Sequence, residues 1–220
     1  MPVTSILLPL EVIEHIVDQC AYHRLSLHSF SLACRSLSPR TRGYLLHNVK
    51  VHDLEELYRL HEFLDLRRHV RSLIHVITLR QDPTKASEWR NLLEVVPATL
   101  FNKLPNLSQW VVKTPGQPPP EQLYTLSFRH VSAAYMRTCT ENIQTLELKR
   151  VSFARCSELA LYLFSFPALR NLSCVNIVFR EQGALDATRS RRLVGSLRLK
   201  SLEVSSLVCV FKCISLTMIY

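Results

Sequence analysis

One spacing recurs through the second half of this chain and restricts what it can fold into. Leu107, Trp110 and Val112 stand at L-x-x-L-x-L intervals, as do Leu123, Leu126 and Phe128. The spacing returns at Ile143, Leu146 and Leu148, at Leu169, Leu172 and Cys174, and at Leu199, Leu202 and Val204. The last three copies continue with Val151 and Phe153, Ile177 and Phe179, and Leu207 and Cys209 at equal offsets. Alternating apolar residues suit a strand with one buried face, and an apolar residue that re-enters after a fixed gap requires a tight bend. Between copies, segments such as 87–96 and 157–165 have helical character, with Pro97 and Pro167 as closing residues. A strand and a helix per unit, stacked side by side, is the organisation of a repeat array whose units bury their apolar faces on one another. Successive copies are 16, 20, 26 and 30 residues apart, so the array is irregular.

The first 48 residues carry a different period. Pro9 suits a first helical turn, where its missing N–H costs nothing. Val12, Ile13, Ile16, Val17 and Cys20 then follow helical spacing, with Glu11, Glu14, Asp18 and Gln19 opposite. Leu27, Phe30 and Cys34 form a second apolar stripe. Ser38-Pro39 reads as an N-cap followed by proline, starting a third helix that runs to about Leu46. A short strand over 49–51 follows. Asp53-Leu54-Glu55-Glu56 then reads as a capping box with Asp in place of Ser or Thr, and Leu54, Leu57, Tyr58, His61 and Leu64 make one helical face behind it. Leu73, His75, Ile77 and Leu79 alternate as a strand. The run 115–120, Pro-Gly-Gln-Pro-Pro-Pro, reads as a stiff loop between repeat strands.

The expected fold is therefore mixed, α+β or α/β: a three-helix module over 1–48, a degenerate strand-helix repeat region over 49–208, and an apolar tail over 209–220. With 47% apolar residues the chain is not composed like a disordered one, and at this length about 70% of the unfolded surface can be buried. The tail is interrupted by Lys212 and falls short of the ~20 apolar residues that a bilayer helix needs; no membrane association is expected. The first ten residues lack the basic and long apolar regions of a secretory signal. Seven cysteines, an odd number, mostly occupy apolar positions, which fits reduced thiols in a cytoplasmic or nuclear protein.

Little in the sequence points to bond chemistry. The four glycines form no phosphate-cradling loop or nucleophile elbow. His15, Cys20, His23 and His28 match no standard zinc spacing, so no catalytic residue, metal or cofactor is expected. His75 reads as a satisfied core histidine, and Trp89 and Trp110 as core. The net charge of +9 is spread out; Arg67-Arg68 and the group at Arg189, Arg191 and Arg192 are its densest points. Aromatic residues do not interleave with these arginines as a stacking platform requires, so nucleic acid is a weak expectation. A basic scaffold or nucleic-acid-binding repeat protein is the alternative reading.

The order of three segments resembles an F-box. Leu8-Pro9-Leu10-Glu11-Val12-Ile13-Glu14-His15-Ile16-Val17 is similar to its first helix. Leu32-Ala33-Cys34-Arg35-Ser36-Leu37 is similar to its small-Cys-Arg-x-Trp signature, with Leu37 where the family has Trp. Ser38 to Leu46 is similar to its last helix. The stretch 143–179, including Phe166-Pro167-Ala168-Leu169-Arg170-Asn171-Leu172, is similar to the degenerate leucine-rich-repeat region of F-box-like proteins abundant in mushroom-forming fungi. Val151, Ile177 and Leu207 stand where regular leucine-rich repeats carry Asn. The resemblance implies binding to the Skp-type adaptor of a cullin-RING ubiquitin ligase through Leu8, Pro9, Leu10, Ile13, Ile16, Val17, Leu32 and Cys34. It also implies a substrate-recruiting role in which the repeats hold an unidentified protein. Glu147, Lys149, Ser173 and Glu203, at outward strand positions, are candidates to line that surface.

Overall fold

The computed structural model describes residues 8–80, 89–114, 116, 125–126, 130–181 and 198–209. The chain divides into two compact units, Met1–Asn48 and Val49–Tyr220. The expected tail beyond 209, the arginines at 189–192 and the proline run, apart from Gly116, lie outside the described residues.

In the first unit three ten-residue helices follow one another: α1 (Leu10–Gln19), α2 (Arg24–Ala33) and α3 (Ser38–His47). Pro9 is the N-cap of α1, and its carbonyl accepts the amides of Val12 and Ile13 at 3.1 and 3.3 Å. Helix α3 begins one residue earlier than the sequence implied. Leu37 is its N-cap and Ser38 its first helical residue, because the Leu37 carbonyl already accepts both the amide and the hydroxyl of Thr41. That bond also explains how Thr41 is fully buried without cost. Val17, Leu27 and Leu37, one residue from each segment, form the core, with Ile13, Cys20, Phe30 and Leu45 packed against it.

The second unit is a mixed α/β structure built on a curled parallel sheet. Its strands are β1 (Asn48–Val51), β2 (Val76–Arg80), β3 (Gln109–Lys113), β4 (Thr125–Leu126), β5 (Thr145–Lys149), β6 (Ser152–Phe153), β7 (Asn171–Phe179) and β8 (Ser201–Cys209). Among the described residues, four helices alternate with them: α4 (Leu54–Leu66), α5 (Trp89–Leu100), α6 (His130–Cys139) and α7 (Cys156–Phe164). The strand order is β1-β2-β3-β5-β7-β8, with β6 and β4 continuing from the far half of β7. Sequence order is thus spatial order, and α4, α5, α6 and α7 also pack on one another in turn. Each strand-helix unit buries its apolar side against the next.

The register aligns the apolar strand positions. Ile77, Trp110, Leu146, Leu172 and Leu202 lie in one row across the sheet, and Leu79, Val112, Leu148, Cys174 and Val204 in another. The bend after each strand is visible where Arg150 and Asn176 take φ of 56° and 55°. Val151 and Ile177 then re-enter the core, and Phe153 pairs with Phe179. Trp110 is buried, with its indole N–H donating to the Tyr162 hydroxyl at 2.6 Å. Phe101 meets Trp110 edge to face at 5.1 Å, and Phe166 meets Tyr162 in the same way at 5.2 Å. In the last row, Leu202 and Val204 remain 47% and 41% exposed.

Four expectations are corrected. Of the copy at Leu123, Leu126 and Phe128, the first and last residues lie outside the described residues, and Leu126 pairs with Phe153, the position after the bend, and not with Leu146. Ile74, Ile77 and Leu79 are an unrecognised copy with all three side chains fully buried. Leu73 ends a 3-10 turn (Arg68–Leu73) and does not alternate on a strand, while His75 is half-buried and lends its carbonyl to the amides of Ser108 and Gln109. Pro97 lies inside α5 and does not close it.

Candidate functional site

The expected contact residues separate once their surroundings are known. Val17 has no exposed surface; it is spent on the core that joins the three helices, so it offers nothing to a partner. Ile13 is half-buried against the same core. The others face outward. Leu8, Leu10 and Ile16 are 49%, 46% and 39% exposed, Leu32 is 79% exposed, and Pro9 and Cys34 are exposed. The helical period had placed Ile16 and Val17 on one face, but Val17 points to Leu27 and Leu37, whereas Ile16, turned about 100° from it, stays exposed. The same exposure brings in Val12 and Leu25, which the motif did not single out. A ten-residue helix that turns Leu10, Val12 and Ile16 away from its own core carries an apolar surface with no internal partner in its unit.

Polar groups fix these helices. Arg40 of α3 grips the Asp18 carboxylate of α1 with two bonds, Nε to Oδ1 at 2.7 Å and Nη2 to Oδ2 at 2.6 Å, and reaches Glu14 at 2.8 Å. The Tyr44 hydroxyl donates to Asp18 Oδ1 at 2.8 Å. The Arg40 guanidinium, then the Tyr44 hydroxyl, hold the Asp18 carboxyl down to about 2. Cys34 lies past the end of α2, where the Ser36 hydroxyl at 2.9 Å and the amides of Ser36 and Leu37 lower its thiol from the ordinary value. Among the described cysteines, Cys139 and Cys174 are buried, Cys20 and Cys156 are half-buried and Cys34 is exposed.

A second surface lies on the sheet face opposite the helices. Gln109 donates to Glu147 at 2.6 Å, Lys149 pairs with Glu147 at 2.7 Å, and Ser173 donates to Glu203 at 2.9 Å. The register puts Glu147, Ser173 and Glu203 in one row and Lys149 in the next, so the four candidates for a lining do share a face. In Lys149's row, Lys113 and Arg80 stand on the two preceding strands. Sequence reasoning missed these two. The signal was present, since each follows the third core position of its copy (Leu79-Arg80, Val112-Lys113, Leu148-Lys149), but it emerges only once Ile74, Ile77 and Leu79 are recognised as a copy.

Among the described residues no group of three or more His, Cys, Asp or Glu is placed to hold a metal ion. His23, one of the four residues weighed for zinc, shares a bond with the Ser26 hydroxyl at 2.8 Å. Among the described residues, no helix is long and apolar enough to cross a membrane. No protein-family model, curated protein or solved structure matches the chain.

Proposed function

We propose that the chain is an F-box-like substrate receptor. In this reading the first helical unit docks on the Skp-type adaptor of a cullin-RING ubiquitin ligase, and the second unit, a degenerate leucine-rich-repeat solenoid, holds a protein substrate. The observation that carries it is the outward-facing apolar set Leu8, Leu10, Val12, Ile16, Leu25 and Leu32 on a unit of only 48 residues. A module so small buries little core of its own, and apolar surface left in water on consecutive helices favours a partner. Leu37 fits the same reading: it fills the unit's own core with Val17 and Leu27, so the exchange from the family's Trp falls on internal packing. Function would be tethering, which raises the local concentration of substrate beside the transferring enzyme, with no bond chemistry on this chain and a place in the cytoplasm or nucleus.

The test is co-purification of the intact chain with a Skp-type adaptor. Leu10→Asp combined with Ile16→Asp alters only exposed positions, so the helices persist while capture is lost. Undiminished capture by this variant rejects the reading. The alternative, a basic scaffold that binds nucleic acid, draws on the net charge of +9 and requires affinity that falls steeply with salt.

A further inference from the structure

Three cations occupy one row of the sheet. Arg80 is in register with Lys113, and Lys113 with Lys149, on the adjacent parallel strands β2, β3 and β5. Lys50 of β1 also acts on Lys113 electrostatically. Neighbouring strands lie ~4.8 Å apart, and like charges set directly opposite one another across strands oppose folding. Nothing in the fold requires basic residues here, because the same row continues as Val175 and Ser205 on β7 and β8.

Among the described residues, neutralisation of this row is incomplete. Glu147, two residues before Lys149 on the same face of β5, is held by Lys149 at 2.7 Å and by Gln109 at 2.6 Å. Among the described residues no ion pair engages Lys50, Arg80 or Lys113. Arg150, just past the row, turns its guanidinium to the Gly116 carbonyl. Thr78 and Val111, the preceding residues on this face of β2 and β3, are buried, so a poorly solvated floor adjoins the cations. Desolvation first, then Lys50, Lys149 and Arg80, depress the Lys113 ammonium from its ordinary value. Charges gathered on a low-dielectric wall project a field that draws anions.

We propose that Lys50, Arg80, Lys113 and Lys149 form a cation row that binds an acidic, extended peptide segment of a partner protein across the carboxyl ends of β1, β2, β3 and β5. The dimensions agree. Four strands span ~14 Å, and an extended chain repeats its same-side residues every ~6.8 Å, so two or three acidic side chains on alternate residues match the row. Lys149 is 42% exposed at its side chain, and Lys50 is exposed. Nucleic acid is the poorer occupant. Glu147 and Glu203 share this face and repel a polyanion that continues across it, and the face has no aromatic residue among Gln109, Val111, Thr145, Glu147, Asn171 and Ser173 on which a base would stack. The row binds whether or not the helical unit docks an adaptor; only its assignment as the substrate-holding surface of a ligase rests on that reading.

The test is fluorescence anisotropy with the full chain and a labelled Glu-Ser repeat peptide, beside a Gln-Ser peptide of equal length and a single-stranded thymidine oligonucleotide. The Glu-Ser peptide binds, the Gln-Ser peptide does not, and Arg80→Gln combined with Lys113→Gln weakens binding roughly tenfold. Lys113→Arg keeps the charge and retains binding, which separates a charge effect from a folding defect. Equal binding of the two peptides, unchanged affinity in the double variant, or preference for the oligonucleotide over the Glu-Ser peptide overturns the proposal.

Discussion

Asn176 holds φ at 55° within β7, at the bend that Arg150 makes between β5 and β6. Its partners show why the conformation is kept: Val175 on one side pairs with Lys149, and Val178 on the other pairs with Ser152. The chain therefore turns between two fixed ladders. Left-handed backbone costs an L-residue roughly 1–2 kcal/mol, least for Asn and Gly. Asn176→Gly is expected to leave stability within about 1 kcal/mol of the parent, whereas Asn176→Val loses about 2 kcal/mol because branching at Cβ worsens the clash. Urea midpoints distinguish them, and equal midpoints for the two variants contradict this account of the bend. The Trp110–Tyr162 bond is the other residue-scale device. Tyr162 is fully buried and its hydroxyl is pushed far above the ordinary value by desolvation. Tyr162→Phe strands the indole N–H and costs about 1–3 kcal/mol. Trp110→Phe adds a cavity and costs about 3 kcal/mol. Because the two share one bond, the double variant loses less than the two losses combined, and strict additivity in denaturant unfolding argues that the bond contributes nothing.

Between α1 and α3 the dominant tie is electrostatic and has a pH signature. The Asp18 carboxyl is lower in the folded unit, about 2, than the ~3.9 of a free chain. The ionised form is therefore favoured by folding, and its contribution is complete above pH ~4 and disappears as pH falls toward 2. Asp18→Asn removes this dependence. Far-ultraviolet circular dichroism of the full chain along an acid titration is expected to show a helical loss in that window that the variant lacks; superposable titrations dismiss the clamp. Elements with a local cause were readable from residues alone. Asp53 caps α4 by accepting the Glu56 amide at 2.8 Å, as its place before Leu54 implied. The other half of that box closes one residue away, because Glu56 accepts the His52 amide at 2.8 Å and also engages the His52 ring. Elements decided by distant packing were not readable. Pro97 costs a helix interior ~3 kcal/mol, but Leu100 and Phe101 beyond it are buried and each contributes about 1.5–3 kcal/mol on burial, so α5 runs through. Likewise Leu126 matches a strand template by spacing, and only its pairing with Phe153 shows which row it belongs to. The apolar rim was legible as a motif, yet the inward turn of Val17 was not, since it depends on where Leu27 and Leu37 stand.

For the molecule as a whole, the two proposed surfaces would bind through different forces. The rim of the first unit is apolar and uncharged at Leu8, Leu10, Val12, Ile16, Leu25 and Leu32, so association there draws on area removed from water and weakens little with salt. The strand row of the second unit is cationic, and association there is screened within a Debye length of ~8 Å at physiological ionic strength. Raising salt is therefore expected to separate the two proposed activities within a single preparation. Adaptor capture persists while Glu-Ser peptide binding falls, Leu10→Asp with Ile16→Asp removes only capture, and Arg80→Gln with Lys113→Gln removes only peptide binding. The surfaces lie in different compact units, Met1–Asn48 and Val49–Tyr220, and the substituted side chains contribute to neither core. Loss of both activities through either double variant contradicts this division of labour, because it requires the apolar rim and the cation row to act as one site.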